Sequence, residues 1–168
     1  MGFKIIVEQG NLRFGAAHFI TFGGKCERLH GHNYAVSVAL EGPLTSDSYV
    51  FDFVVLKEIV RRIADGLDHR FLLPLRNEHL SIGEGEDHWE IRFGERRYVF
   101  PARDILPLPV DNVTAERLAE YIWGEVAKEL VGQASSHLVT MTVGIEEAPG
   151  QAAFFSQELS RGVSPESH

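Results

Sequence analysis

The chain has one cysteine, Cys26, among its 168 residues, which excludes an intramolecular disulfide. Such sparing use of cysteine fits a reducing compartment, so we expect a cytoplasmic protein. No apolar run approaches the roughly 18 residues that a transmembrane helix requires. The segment after Met1 also lacks the charged and apolar regions of a secretory signal. The sequence therefore predicts no membrane partner.

Positive charge is also in short supply. Lys and Arg number 16 against 24 Asp and Glu, and the formal net charge is −8. Binding to a nucleic-acid backbone needs a basic face, so we expect no nucleic-acid partner. The hydrophobic fraction of 44% and the charged fraction of 24% are typical of globular proteins. The length predicts one domain, which we place over residues 1–160. The polar composition of residues 161–168 indicates a C-terminal tail.

Apolar periodicity predicts an α+β fold, in which two helices cover one face of an antiparallel sheet. Asp52 is a good N-cap for the first helix, and Asn112 or Thr114 for the second. An inserted β-hairpin at about 76–108, rich in glycine and charge, separates them. The predicted strands cover 3–7, 12–20, 32–40, 88–93, 96–100, 138–147 and 152–157.

Apolar spacing of three and four residues gives each predicted helix one apolar face. In the first helix this face comprises Phe53, Leu56, Val60, Ile63 and Leu67. In the second it comprises Ala115, Leu118, Ala119, Ile122, Val126 and Leu130.

Two histidines flank Gly31 at the start of a strand whose even positions, from Tyr34 to Leu40, are apolar. Residues i and i+2 of a strand project from the same face, so His30 and His32 share the face that the helices should cover. His18, at the end of the preceding strand, offers a third imidazole. Three histidines leave one position of a zinc ion open, which is the pattern of a catalytic site. The alternative is that all three are ordinary strand histidines.

Cys26 lies in a polar loop four residues before His30. It is either a small buried hydrophobe or a thiol that acts as base or nucleophile. In the second case the metal and Lys25 or Arg28 would lower its pKa.

Two further acidic positions have both a structural and a functional interpretation. Asp68 and His69 follow the first helix, either as a pair favoured by the helix dipole or as a carboxylate-oriented proton shuttle. Glu147 is either a solvated strand end or a buried carboxylate that accepts two N–H groups of a ligand. Strand parity places Glu147 on the helix-covered side, and we expect Asp68 and His69 there too.

Together these segments resemble the 6-pyruvoyl-tetrahydropterin synthase / 6-carboxytetrahydropterin synthase family. The matching segments are residues 14–18, 26–34, 51–53, 67–69 and 112–116, with Glu147. The short spacing from Cys26 to His30 is more similar to the 6-carboxytetrahydropterin synthase of queuosine biosynthesis than to the animal biopterin enzyme. Three departures are Ala148 where the family usually has Thr or Ser, Gly15 in place of a larger residue, and the insert.

The resemblance implies the tunnelling fold, with a four-stranded antiparallel sheet, two helices and the insert added to it. Trimers would close a barrel and two trimers would stack as a homohexamer with sites between subunits. His18, His30 and His32 would bind Zn²⁺. Cys26 would be the proton acceptor, with Asp68 and His69 as its charge-relay partners. Glu147 would assist catalysis and anchor the pterin, with Thr114 as a further substrate contact.

The activity implied is a lyase reaction on 7,8-dihydroneopterin triphosphate. It yields 6-carboxy-5,6,7,8-tetrahydropterin, acetaldehyde and triphosphate. Lys25, Arg28 and Arg13 are candidates to hold the triphosphate. Alternatives within the family are 6-pyruvoyl-tetrahydropterin synthase, which only eliminates triphosphate, and an aldolase-like variant that yields 6-hydroxymethyl-dihydropterin. The alternative from another class is a non-catalytic pterin- or zinc-binding module.

Overall fold

The chain folds around a seven-stranded sheet, seen in a computed structural model that describes residues 2–8, 10–131, 133 and 135–159. The predicted tail at 161–168 lies outside the described residues. The strands of this sheet are β1 (Phe3–Val7), β2 (Arg13–His18), β5 (His30–Gly42), β6 (Arg70–Pro74), β10 (Ile105–Leu108), β11 (Thr140–Ala148) and β12 (Gln151–Glu158). They lie in the order β10-β6-β2-β5-β11-β12, and β1 also pairs with β5.

The remaining elements are two short strands, a small separate sheet and the helices. The strands β3 (Thr21–Phe22) and β4 (Lys25–Cys26) form a pair, and β7 (Ser81–Glu84), β8 (His88–Phe93) and β9 (Arg96–Pro101) form a three-stranded antiparallel sheet. The α-helices are α1 (Phe53–Leu67) and α2 (Ala115–Val131), and a 3₁₀ turn covers Ala102–Asp104. No helix within the described ranges is both long and apolar enough to cross a membrane.

The α+β class with two helices is confirmed, but the predicted four-stranded antiparallel sheet is too small. Both β2 and β10 pair with β6 in parallel, so the sheet is mixed. β6 is not among the predicted strands, because Phe71, Leu72 and Leu73 are all buried and a strand buried on both faces shows no alternation. The predicted hairpin is likewise larger, since β7 adds a third strand to it, and the end of the predicted insert is β10 of the main sheet.

The main core lies between the sheet and the helices. Even-numbered residues of β5 from Tyr34 to Leu40 are buried there, as their alternation predicts. The Asp52 carboxylate accepts hydrogen bonds from the backbone of Val54 and Val55, which confirms the predicted cap. Phe53 departs from the predicted helix face, because it is about half exposed in the first turn of α1.

A second, smaller apolar cluster lies between the main sheet and the three-stranded sheet. Its buried members are Phe19, Cys26, Phe71, Leu73, Ile91 and Ile105. Aromatic side chains of β8 and β9 pack against it, with Tyr98 on Phe19 and Phe100 stacked on Phe71. The insert is therefore joined to the domain through apolar contacts that surround the single cysteine. We call this group the second apolar cluster.

Candidate active site

Two strand ends and one bulge bring four ionisable side chains together. His18 ends β2 and lies directly opposite His30, the first residue of β5, and His32 follows two residues later on the same face. Glu147 lies in β11, where the pairing with β12 is shifted by a bulge. One ligand atom from each of these four residues lies within 4.8 Å of the others. The histidines predicted from the sequence do converge, and Glu147 joins them.

The glycine between His30 and His32 allows the two strands to approach. A Cβ atom on Gly31 would lie 2.8 Å from the backbone oxygen of Ala16, closer than real Cβ contacts allow. A larger residue at this position would push β2 away from β5. Since His18 is carried by β2, the glycine keeps the third imidazole close to the other two.

Backbone carbonyls orient two of the imidazole rings. Nδ1 of His18 lies 2.8 Å from the carbonyl oxygen of Val113, and Nδ1 of His30 lies 2.7 Å from that of Arg28. A carbonyl oxygen only accepts, so Nδ1 carries the proton in both rings and Nε2 keeps its lone pair. Metal-binding histidines are commonly held in this way by an outer partner.

His18 is fully buried, and its environment keeps the ring neutral. Burial lowers its pKa to about 4 against the opposing effect of the hydrogen bond to Val113, and the neighbouring His30 and His32 lower it further. Neutral imidazole is the form that binds a metal ion. The site therefore holds His18 ready as a ligand at neutral pH.

Nε2 of His32 is a buried atom without a hydrogen-bond partner in the described part of the chain. It nevertheless lies 2.8 Å from Oε1 of Glu147, which is ion-pair distance without the geometry of a hydrogen bond. The same Glu147 oxygen lies 3.8 Å from Nε2 of His18. Three imidazole nitrogens and a carboxylate oxygen that face one another form a donor set that fits a divalent metal ion.

The metal-free protein should lose stability on acidification through His18. The unfolded chain protonates this residue below about pH 6.5, and the folded chain only below about pH 4. Between these values the unfolded state binds more protons, so the free energy of unfolding falls as the pH falls. The total loss is about 3 kcal/mol, measurable by urea unfolding of chelator-treated protein. His18→Gln should flatten this slope and His79→Gln, at an exposed imidazole, should keep it; equal slopes would contradict the assignment.

Glu27, which is not among the predicted site residues, also lies at the cluster. Oε2 of Glu27 is buried and has no hydrogen-bond partner in the described part of the chain. It lies 3.9 Å from Nε2 of His30. The loop from Thr21 to Leu29 has no periodicity that would orient Glu27, and its spacing of three from His30 was the one available signal. Glu27 is a second candidate base at this site.

Cys26 lies in the second apolar cluster rather than in a polar loop, and it is 5% exposed. Burial raises the pKa of its thiol, and the nearby Arg96 opposes this effect. In the metal-free chain the pKa of the thiol is therefore not lowered, and Arg96, rather than the expected Lys25 or Arg28, is the cation that acts on it. The cation beside Cys26 comes from β9, which no local sequence pattern could place there.

Asp68 and His69 do not join the cluster within one chain, and the expectation that they share its side is wrong. Oδ1 of Asp68 accepts the backbone N–H of Gly15 at 2.7 Å and lies near the position of a Cβ on Gly15. Gly15 and His18 have opposite parity in β2, so Asp68 lies on the opposite face.

Asp68 and His69 nevertheless form a hydrogen-bonded pair on the protein surface. Nδ1 of His69 lies 2.6 Å from Oδ2 of Asp68, and 88% of the His69 side chain is exposed. The hydrogen bonds from Gly15 and then from His69 lower the pKa of Asp68. His69 also has a φ of 54°, an unusual backbone conformation that often accompanies function.

Thr114 has a structural position at the start of α2. Its hydroxyl accepts the backbone N–H of Arg117 at 3.3 Å, as an N-cap does. The neighbouring Val113 supplies the carbonyl that orients His18. The start of α2 therefore supports the cluster through the backbone.

Comparisons of the sequence and of the structure with known proteins point to the same family. The sequence model of 6-pyruvoyl tetrahydropterin synthase matches residues 9–158. A Methanocaldococcus jannaschii protein, provisionally assigned as a 6-carboxy-5,6,7,8-tetrahydropterin synthase, is 35% identical over 152 residues, covering 90% of this chain and 93% of that protein. The 6-carboxy-5,6,7,8-tetrahydropterin synthase of Haemophilus influenzae is 39% identical over 85 residues, 47% of this chain and 58% of that protein.

A solved structure resembles nearly the whole chain. It is the 6-pyruvoyltetrahydropterin synthase of Plasmodium vivax, in a variant in which a glutamate named as a catalytic residue is replaced by alanine. The TM-score is 0.89 at 35% identity, over 94% of this chain and 99% of that one. The extent of both matches, together with the converging histidines, shows that the chain belongs to the 6-pyruvoyl tetrahydropterin synthase family, an enzyme family that acts on pterins.

Proposed function

We propose that the protein is a zinc-dependent lyase that converts 7,8-dihydroneopterin triphosphate and one water into 6-carboxy-5,6,7,8-tetrahydropterin, with release of acetaldehyde and triphosphate. This reaction would place it in the cytoplasmic route towards queuosine and related deazapurines. The observation that carries the proposal is the set of three imidazole nitrogens that converge with Glu147. The names of the relatives support the choice of product.

The proposed zinc ligands are Nε2 of His18, His30 and His32. A bound zinc ion would supply Lewis acidity to the oxygens of the substrate side chain. The carbonyls of Val113 and Arg28 hold two of these rings, so the ligand atoms need little rearrangement. Glu147 is assigned to the substrate, because a partly exposed carboxylate can accept two N–H groups of a pterin ring.

We assign the removal of a side-chain proton to Cys26, which ends β4 four residues before the ligand His30. Its thiol must lose a proton to act, and a bound dication together with Arg96 would favour the thiolate against the effect of burial. Lys25, Arg28 and Arg13 remain the candidate contacts of the triphosphate.

Glu27 supports a second candidate function, an aldolase-like cleavage that yields 6-hydroxymethyl-dihydropterin. Its Oε2 is buried, has no hydrogen-bond partner among the described residues and lies 3.9 Å from Nε2 of His30, where a general base beside the substrate could act. The catalytic glutamate of the Plasmodium vivax relative adds support for a carboxylate in this kind of site.

The position of Asp68 and His69 supports an assembly in which sites form between subunits. We propose a homohexamer, two trimers stacked, in which this pair serves the metal centre of a neighbouring copy. Mixing inactive Cys26→Ala subunits with inactive His69→Ala subunits should restore activity, because some sites then contain both intact groups. Mixed protein that regains no activity, although exchange of subunits is shown by native mass spectrometry, would contradict shared sites.

Product analysis tests the proposed function. The zinc-loaded protein should convert 7,8-dihydroneopterin triphosphate into 6-carboxytetrahydropterin and one equivalent of acetaldehyde. Release of 6-hydroxymethyl-dihydropterin would instead establish the aldolase-like alternative, and 6-pyruvoyl-tetrahydropterin the elimination reaction. A zinc-loaded protein that leaves the substrate unchanged would contradict every enzymatic assignment.

A further inference from the structure

The insert reaches the loop that carries both candidate bases. Nη1 of Arg96, the first residue of β9, donates to the carbonyl oxygen of Cys26 at 2.8 Å and to that of Glu27 at 3.0 Å. These contacts link residues about seventy positions apart. We propose that Arg96 is a positioning residue, which fixes the backbone of Cys26 and of Glu27, whose carboxylate lies 3.9 Å from His30, and so gives the insert a role in catalysis.

The strand that carries Arg96 is itself firmly attached. Tyr98 and Phe100 follow Arg96 in β9 and pack on Phe19 and Phe71 of the second apolar cluster, with ring centroids 5.3 and 4.6 Å apart. Cys26 belongs to this cluster. Since the insert and the thiol share one packed unit, the guanidinium group has a fixed position relative to the loop.

The other end of the loop segment has a separate set of anchors. The backbone of Thr21 exchanges two hydrogen bonds with the Asn112 side chain, at 3.3 and 2.8 Å, and its hydroxyl accepts one from Asn77 at 2.7 Å. The N–H of Glu27 donates to the carbonyl of Ile20 at 2.9 Å. Arg96 adds a contact from the insert, which holds the carbonyl oxygens of Cys26 and Glu27. Its loss should therefore act locally.

A guanidinium donor suits this task because it stays charged and donates in a fixed plane. Hydrogen bonds from a charged donor are stronger than those from a neutral one. The same positive charge lowers the pKa of the Cys26 thiol against the effect of burial. Arg96 therefore both holds the backbone of Cys26 and favours its thiolate, and both effects depend on the insert.

The test compares Arg96→Met, which keeps the aliphatic stem and removes the donors, with Arg97→Met as matched control. Arg97 is the next residue of the same strand, and its guanidinium pairs with Glu90 on the exposed side. Arg96→Met should lower kcat about tenfold to a hundredfold, as a misplaced catalytic group does, with little change in KM. Arg96→Lys should recover part of the loss, and Arg97→Met should match the wild type.

The kinetic effect of Arg96→Met rests on the proposed function. Two other measurements, thiol alkylation and amide hydrogen exchange, need no substrate and therefore test the role of Arg96 separately. Because Cys26 is the only cysteine, iodoacetamide alkylation reports on it alone. In Arg96→Met, the midpoint of the alkylation pH profile should rise, and amide exchange should quicken at residues 26–29. If Arg96→Met matches Arg97→Met in the alkylation profile and in exchange, Arg96 does not position the loop, whatever the turnover. If these readouts change as expected but neither the wild type nor a variant turns over the pterin, the proposed function alone fails.

Discussion

Replacing His32 with alanine is expected to weaken zinc binding by at least about a hundredfold, since loss of even an outer-shell partner costs 10–100-fold. Its Nε2 is buried, has no hydrogen-bond partner among the described residues, and faces Glu147 and the other two rings. His32 lies on a partly exposed strand end, so the variant should fold. Competition with a chromophoric chelator measures the affinity, and elemental analysis the bound zinc. Turnover should fall with the metal.

Two variants serve as controls for His32→Ala. Glu147→Gln should retain the metal and raise KM for the pterin, because we assign this carboxylate to the substrate. His79→Ala, at an exposed imidazole of the chain, should match the wild type in both measurements. If His32→Ala still binds one zinc tightly, His32 is not a zinc ligand. Loss of zinc from Glu147→Gln would make Glu147 a ligand and contradict its assigned role.

The second large effect is expected at Cys26. Cys26→Ala should keep one zinc per chain and lower the rate of 6-carboxytetrahydropterin formation about 10²- to 10⁴-fold, the range typical of a lost general base. The reason is that its thiol accepts the substrate proton in the proposed reaction. Rates and zinc content should be measured on the same samples, with thermal unfolding to show that the apolar cluster around Cys26 remains packed.

Glu27→Gln is the matched comparison for Cys26→Ala, since it alters the adjacent residue with little change in size. It should leave the formation of 6-carboxytetrahydropterin largely intact while any 6-hydroxymethyl-dihydropterin product disappears. If Glu27→Gln is inactive towards the carboxypterin and Cys26→Ala is fully active, Glu27 is the base. If Cys26→Ala also loses its zinc, Cys26 is a ligand and its proposed role is wrong.

The parts of the site that the sequence predicts are those set by local periodicity. His30 and His32 lie in a strand with clear alternation, and the alternation of β11 leads to Glu147, which lies beside them although its pairing with β12 is shifted by a bulge. Asp52 caps α1 as expected, because capping depends on a few neighbouring residues. These features need no information from distant parts of the chain.

The parts that the sequence does not predict depend on distant contacts. β6 and β10 pair in parallel through a long connection, and neither shows alternation. The environment of Cys26 is set by the insert, whose packing cannot be read from the loop itself. Asp68 follows α1 directly, but its hydrogen bond to Gly15 in β2 decides which face it occupies.

A metal ion held by His18, His30 and His32 is expected to make this chain an active pterin lyase. To test this, chelator-treated protein is titrated with zinc while acetaldehyde release from 7,8-dihydroneopterin triphosphate is measured. The titration tests the need for the metal and the lyase activity together. The expected rate is near zero without zinc, rises linearly, and stops rising at one zinc per chain. A full rate without added metal, or no acetaldehyde at any zinc concentration, would contradict it.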